Sequence, residues 1–217
     1  FLSVDAVDVA SPGRIRNPPP TEGEDIRITE VMSSGALGAF TKNDWFELTS
    51  FHPTPVDLTG WRFNDSTGGF ADAYVITNTL IMRPGESIVF VEELSAQDFL
   101  AWWGPTNFAP GTQIVTYSGT QLSFSSAGDS LRVWDRTNAL PVAEVSFGPA
   151  VSGVSFGYNP DTQQFGEPSV PGVHGAFLSA DGLDVGSPGR IRGDTPVPPA
   201  DVRITEVMSS EAPGTFT

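Results

Sequence analysis

Two histidines, a scattered set of carboxylates and five tryptophans are the residues through which this chain could act chemically. His52 stands just before Pro53, and His174 lies in "VPGVHGAF"; neither has metal-ligand spacing or a nucleophile motif beside it. With no cysteine in the chain, a thiol nucleophile, a disulfide framework and a cysteine-ligated metal are excluded. No H-E-x-x-H or glycine-rich phosphate loop occurs either. Both histidines therefore read as structural, and catalytic residues are expected to be none.

The carboxylates offer two kinds of chemistry. A pair flanking a sugar bond could work as a glycosidase acid and base, and Glu30 and Glu47 are the pair to weigh. Calcium is the other use. Asp181 and Asp184 stand just before a Ser-Pro-Gly, repeating Asp5 and Asp8 before an earlier one, and Asp65 sits in the oxygen-rich loop "FNDSTGG". Ca²⁺ takes about six to eight oxygens from carboxylates and loop carbonyls, so Asp181, Asp184 and Asp65 are the candidate metal ligands. Against this, aspartates in such loops commonly cap their own backbone, and no EF-hand spacing or nonapeptide calcium repeat is present. Among the aromatics, Trp45 and the adjacent Trp102 and Trp103 are the candidate ligand-binding residues, as a platform on which sugars stack. The same rings could instead pack inside.

The elements that must position these residues are short strands. In "DIRIT", Ile26 and Ile28 point one way and Arg27 and Thr29 the other; in "DWFELTSF", Phe46 and Leu48 share one face while Trp45 and Glu47 share the opposite one. "VDLTGWRFND" reads as a turn leading into a strand, and "AYVITNT", "ESIVFVEE", "QIVTY", "SLRVWD", "VAEVSF" and "GVSFGY" continue the series. Gly85 after Pro84, Gly128 before Asp129 and the Pro160-Asp161 pair supply turns between them. Eight or more short strands at this spacing predict an all-β sandwich. One stretch breaks the pattern. "SAQDFLAWWG" has Ser95 as an N-cap, Asp98 three residues on, an aromatic face and Gly104 as a stop, which predicts a short helix of about two turns. The expectation is that it plugs one end of the sandwich.

Composition narrows the partners. The formal net charge is −15, and Lys42 is the only lysine. Such a surface repels phosphate backbones, so nucleic acid is not an expected partner. No apolar run approaches the roughly 18–20 residues of a membrane span, so membrane insertion is not expected.

The chain also repeats itself. Residues 1–41 lie over residues 177–217 at a constant offset of 176: "FLSVDAVDVASPGRIR" answers to "FLSADGLDVGSPGRIR", and "DIRITEVMSSGALGAFT" to "DVRITEVMSSEAPGTFT". Between the matching blocks lie "NPPPTEGE" and "GDTPVPPA", which read as stiff proline-rich spacers. The expected organisation is the end of a preceding repeat (1–16), a linker (17–24), one whole module (25–192), a second linker (193–200) and the first strand of a following repeat (201–217). Residues 202–210 would then be a strand without its own partners, inviting edge pairing with a neighbouring molecule.

These pieces in this order resemble the lamin-tail domain, in the form found in bacterial secreted and surface proteins. The matching pieces are "IRITEVMSS", "DWFELTSF", the Asp-Leu-x-Gly-Trp of "VDLTGWRFND", "LIMRPGESIVF", "SAQDFLAWWG", "SSAGDSLRVWD", "SFGYNPDTQQFG" and "GSPGRIR", and together they span nearly all of 25–192. The resemblance implies an immunoglobulin-like β-sandwich with one short helix, with extra material around 104–125 and 166–186. It carries no catalytic constellation, and it makes Glu30 and Glu47 strand-face or turn-satisfying groups rather than a catalytic pair. The nuclear lamins' contacts with DNA transfer poorly to so acidic a chain. The expected function is a non-catalytic module of a secreted or surface multidomain protein, a spacer or an adhesion and recruitment domain meeting protein or cell-surface glycan. The expected location is extracellular or at a bacterial cell surface. The alternative is a carbohydrate-binding module appended to a secreted hydrolase.

Overall fold

Short runs of β-branched and aromatic residues form fourteen strands among the described residues, with one α-helix and a short 3-10 turn between the seventh and the eighth. The computed structural model describes residues 25–190, apart from 34, 39, 41–42, 121 and 137–139. They belong to one compact unit spanning Glu22–Pro198. Segments 1–16, 17–24, 193–200 and 201–217, and with them the edge pairing expected of 202–210, lie outside the described residues.

In chain order the elements are β1 (Ile26–Met32), β2 (Trp45–Ser50), β3 (Val56–Asp57), β4 (Arg62–Asn64), β5 (Tyr74–Val75), β6 (Ile81–Met82) and β7 (Ser87–Glu92). Then come α1 (Ala96–Trp103), β8 (Gln113–Tyr117), β9 (Asp129–Trp134), β10 (Ala143–Phe147), β11 (Phe156–Asn159), β12 (Gln164–Pro168), β13 (Phe177–Leu178) and β14 (Val185–Gly186). Six strands form one sheet in the order β12-β11-β1-β2-β7-β8, and four form a second in the order β10-β9-β4-β5. The two sheets enclose the main core, in which Phe46, Phe63, Phe90 and Leu131 are fully buried. Phe46 stacks on Phe90 with centroids 4.8 Å apart and meets Phe63 edge-on at 4.9 Å; such pairs add about 0.5–1.5 kcal/mol beyond their burial. This is the all-β sandwich the strand pattern predicts, in the immunoglobulin-like form that the resemblance implies.

The Asp-Leu-x-Gly-Trp stretch carries the chain from β3 to β4 through a tight turn. Asp57 Oδ1 accepts from Thr59 N at 2.9 Å, and Trp61 N donates to Leu58 O at 2.9 Å. Gly60 takes φ of 82°, a left-handed value that a side chain disfavours. The turn drops the Trp61 ring into the core, where it has no exposure.

The six-stranded sheet has two covered faces. Trp45, Val89, Val91 and Met32 point away from the main core and pack with Phe99, Trp102 and Trp103 of α1 in a second cluster. The helix therefore lies on the outer face of the sheet rather than plugging an end of the sandwich. The reason is connectivity. β7 and β8 pair in parallel, and parallel neighbours need a crossover connection, which α1 supplies. Its local signals work as the sequence predicts: Ser95 Oγ accepts from Asp98 N at 3.1 Å, and Gly104 ends the helix at φ 81°. The stretch 166–186, read from sequence as extra material, also holds structure: β12 is an edge of the six-stranded sheet, and β13 pairs with β14.

Because Ser95 is solvent-exposed and its hydroxyl caps a helix that covers the second cluster, Ser95→Ala is expected to lower stability by about 1 kcal/mol. A shifted urea midpoint with an unchanged slope would be the corresponding measurement.

Candidate functional site

A one-residue irregularity in β1 decides where its carboxylate goes. The β1–β2 register runs Ile28 opposite Leu48 and then Glu30 opposite Glu47, so Thr29 is an extra residue, a β-bulge. Strict alternation from Ile26 and Ile28 would turn Glu30 into the apolar core. The bulge reverses the parity: Val31 enters the core, and Glu30 turns to the outer face beside Glu47. Both glutamates are completely buried.

What buries them is the closing stretch of the domain, residues 177–190, which lies over this face. Ser187 donates to Glu30 twice, from its backbone N at 2.7 Å to Oε1 and from Oγ at 2.8 Å to Oε2. Gly189 N donates to Glu47 Oε2 at 2.6 Å, and Thr29 Oγ1 donates to Glu47 Oε1 at 2.6 Å. Ser155 Oγ also donates to Glu30 Oε1. The Ser-Pro-Gly sequence is thus a clamp that hands two backbone donors and a hydroxyl to two neighbouring carboxylates. Gly186 allows the approach, since a Cβ there would stand 2.9 Å from the Trp103 ring and 3.0 Å from Glu30 Oε1. With these donors the glutamates are turn-satisfying groups, and there is no room between them and the clamp for a substrate.

Of the remaining sequence candidates, the three tryptophans and Asp184 are engaged in the same closure. Trp45 and Trp103 have no exposure and Trp102 has 2%. Trp45 meets Trp103 edge-on at 5.6 Å and Phe99 at 5.7 Å, so no indole face is offered to a sugar. Asp184 is buried; its Oδ2 accepts from Trp102 Nε1 at 2.9 Å and its Oδ1 from Leu37 N at 2.7 Å. A candidate sugar platform and a candidate calcium ligand are therefore bonded to each other. Asp181 Oδ1 accepts from Ser179 Oγ at 2.7 Å and Leu183 N at 3.1 Å, and these donors hold its carboxyl below the usual carboxylate range. Asp65 caps its own loop, accepting from Thr67 N at 2.8 Å and Thr67 Oγ1 at 2.6 Å. Among the described residues no three His, Cys, Asp or Glu side chains gather as a metal-binding group, so Asp65, Asp181 and Asp184 do not form one ligand set.

His52 is buried with its Nδ1 accepting from Thr54 N at 3.2 Å, and His174 Nε2 faces Asp161 at 3.8 Å. One surface groove of about 410 Å³ runs between residues 76–80 and the free edge of β8, and its lining holds no carboxylate or histidine. A second, of about 570 Å³, lies between the Pro84-Gly85 turn, Pro110-Gly111 and Gly189. Neither assembles an acid, a base and a nucleophile.

Sequence reading missed one electrostatic feature. Asp44 and Glu92, 48 positions apart, meet at the end of β2 and β7, where Asp44 N donates to Glu92 Oε2 at 3.3 Å. Burial, and after it the Asp44 carboxylate, push the half-buried Glu92 carboxyl up to about 7. Nothing in the local sequence marks this pair, because only the register of two strands brings it together.

The family model of the Lamin Tail Domain matches residues 19–149. The matched stretch covers β1 to β10, and β11 to β14 with the Ser-Pro-Gly clamp lie beyond it. No curated protein matches the chain.

Removing the clamp's acceptor by Glu30→Ala should strand several buried donors and cost about 3 kcal/mol or more, with amides of 177–189 losing hydrogen-exchange protection; retained protection would show the clamp to be held elsewhere. The raised Glu92 carboxyl fixes a sign for pH. The folded state binds a proton there more tightly than the unfolded chain, whose value is 4.5, so the Glu92 contribution is fully present below that value and is lost as pH rises through about 7. Glu92→Gln is expected to flatten that decline in unfolding experiments across the same window.

Proposed function

From the premise that this chain belongs to the lamin tail domain family, a family of non-catalytic immunoglobulin-like domains, we propose that it is a structural and recruitment module repeated along a longer secreted or surface-attached protein. The observation that carries this reading is where the reactive residue types go. Glu30, Glu47, Asp184 and the three tryptophans are all engaged in closing the domain on itself.

The repeat at an offset of 176, with proline-rich spacers between the matching blocks, supports a role in which copies are strung together. Stiff spacers between folded beads give reach, and repeated weak sites give avidity without any one strong site. The acidic balance keeps such a chain soluble and away from phosphate backbones. No described helix is long and apolar enough to cross a membrane.

Two measurements test the reading. The immobilised chain is to be screened against glycans and cell-envelope extracts. A saturable protein or envelope ligand would give the module a recruitment role, and silence from folded protein would leave it a spacer. Tryptophan fluorescence is expected to be unquenched by soluble polysaccharides, because Trp45, Trp102 and Trp103 have at most 2% exposure. Quenching lost in Trp45→Ala would overturn the non-carbohydrate reading.

A further inference from the structure

Three neighbouring strands of the six-stranded sheet end in oxygen-bearing side chains that point the same way. Asp44 directly precedes β2, Glu92 closes β7 and Tyr117 closes β8. Their parity is that of Phe46, Phe90 and Val115, all members of the main core or packed against it. Glu92 and Tyr117 are direct register partners, and Glu92 N donates to Asp44 O at 2.8 Å, so the three residues stand side by side.

Tyr117 is 2% exposed, and its ring is lodged near Phe63 at 5.5 Å and Phe46 at 6.0 Å. Its buried hydroxyl has no hydrogen-bond partner. Buried hydroxyls are nearly always satisfied, so an unpaired one asks for an occupant. Burial, and after it the Asp44 and Glu92 carboxylates, push this phenol well above its ordinary value. The following turn closes over the group: a Cβ on Gly119 would lie only 1.9 Å from Glu92 Oε1, and the Ser118 and Thr120 hydroxyls sit 3.0 Å apart in that turn.

We propose that Asp44, Glu92 and the Tyr117 hydroxyl form a seat for one hard divalent cation, Ca²⁺. The donors are all oxygen, which selects against the soft metals that prefer thiolate or imidazole. Two carboxylates match the ion's charge, and Glu92, half-buried, leaves a path from solvent. Water completes the coordination. Ca²⁺ fits better than Mg²⁺ because three protein oxygens from different strands impose no octahedral frame, and Ca²⁺ tolerates irregular geometry. The ion would offset the burial, and after it the like charge of Asp44, that raise the Glu92 carboxyl. It would also tie the ends of β2, β7 and β8 to the turn that follows.

The test uses the full chain and thermal unfolding at about pH 8, where Glu92 is ionised. Calcium is titrated against sodium chloride of matched ionic strength, because a chain at −15 responds to any salt. The expected result is a saturable, calcium-specific rise in Tm with a Kd on the order of 10⁻⁴–10⁻³ M, the range of extracellular calcium modules. Glu92→Gln should abolish the rise, and Asp65→Asn should leave it intact. Tyr117→Phe should raise Tm without calcium, by removing the orphan hydroxyl, and weaken calcium binding by about three-fold or more. Should the Glu92 variant misfold, terbium luminescence of the unmodified chain, sensitised by the adjacent tyrosine ring and displaced by calcium, reads the same seat. No calcium-specific rise, or a rise that survives Glu92→Gln, would overturn the proposal; an unchanged affinity in Tyr117→Phe would remove the hydroxyl from it.

Discussion

The bulge at Thr29 is the constraint on which the rest of the domain depends. One extra residue opposite β2 places two glutamates next to each other on a face that must be covered, and two neighbouring carboxylates without donors would not tolerate burial. The chain answers with the Ser-Pro-Gly clamp, whose backbone N–H groups point at the pair, and with hydroxyls from Thr29 and Ser155. Because the donors come from the far end of the domain, 157 positions from Glu30 and 142 from Glu47, they lock its last segment to its first two strands. Polar satisfaction here acts as a fastener: the closing segment has few large apolar residues, and its position is set by whom its amides can reach.

The second cluster follows from the same need to cover that face. Trp45, Met32, Val89 and Val91 would be exposed on an ordinary open sheet. The parallel pairing of β7 with β8 forces a crossover, and the crossover helix brings Phe99, Trp102 and Trp103 down on them. The Trp102–Asp184 bond then joins helix to clamp, at 2.9 Å. Helix, clamp and glutamates form one continuous lid over the outer face. A domain built this way has its aromatic and carboxylate chemistry turned inward, which agrees with the non-catalytic character of the lamin tail domain family. What it presents outward is strand edge, turns and negative charge.

That negative charge is not evenly accommodated. Asp57 and Asp129 sit where hydrogen bonds from nearby loop residues hold their carboxyls below the usual range. Glu92 goes the other way, because it meets Asp44 at the end of the sheet while losing solvent. The contrast is one of burial and neighbour: the turns give amides to Asp57 and Asp129, whereas Glu92 loses solvent beside a second carboxylate.

The sequence by itself determined the strands, the helix with its Ser95 cap and Gly104 stop, and the family, because these depend on local periodicity and turn chemistry that neighbouring residues carry. It also placed Phe46 and Leu48 opposite Trp45 and Glu47. It left open whether three tryptophans and three aspartates faced water, since alternation says that two faces exist but not what lies on each. The tertiary structure decided that. A bulge is a mismatch between two strands and has no marker within either one, so the outward turn of Glu30 was illegible. The crossover helix covers the outer face because β8 pairs in parallel, a choice made by non-local hydrogen bonds. Asp44, Glu92 and Tyr117 meet only because β2, β7 and β8 end at the same level, a matter of register across three strands rather than of any stretch of chain.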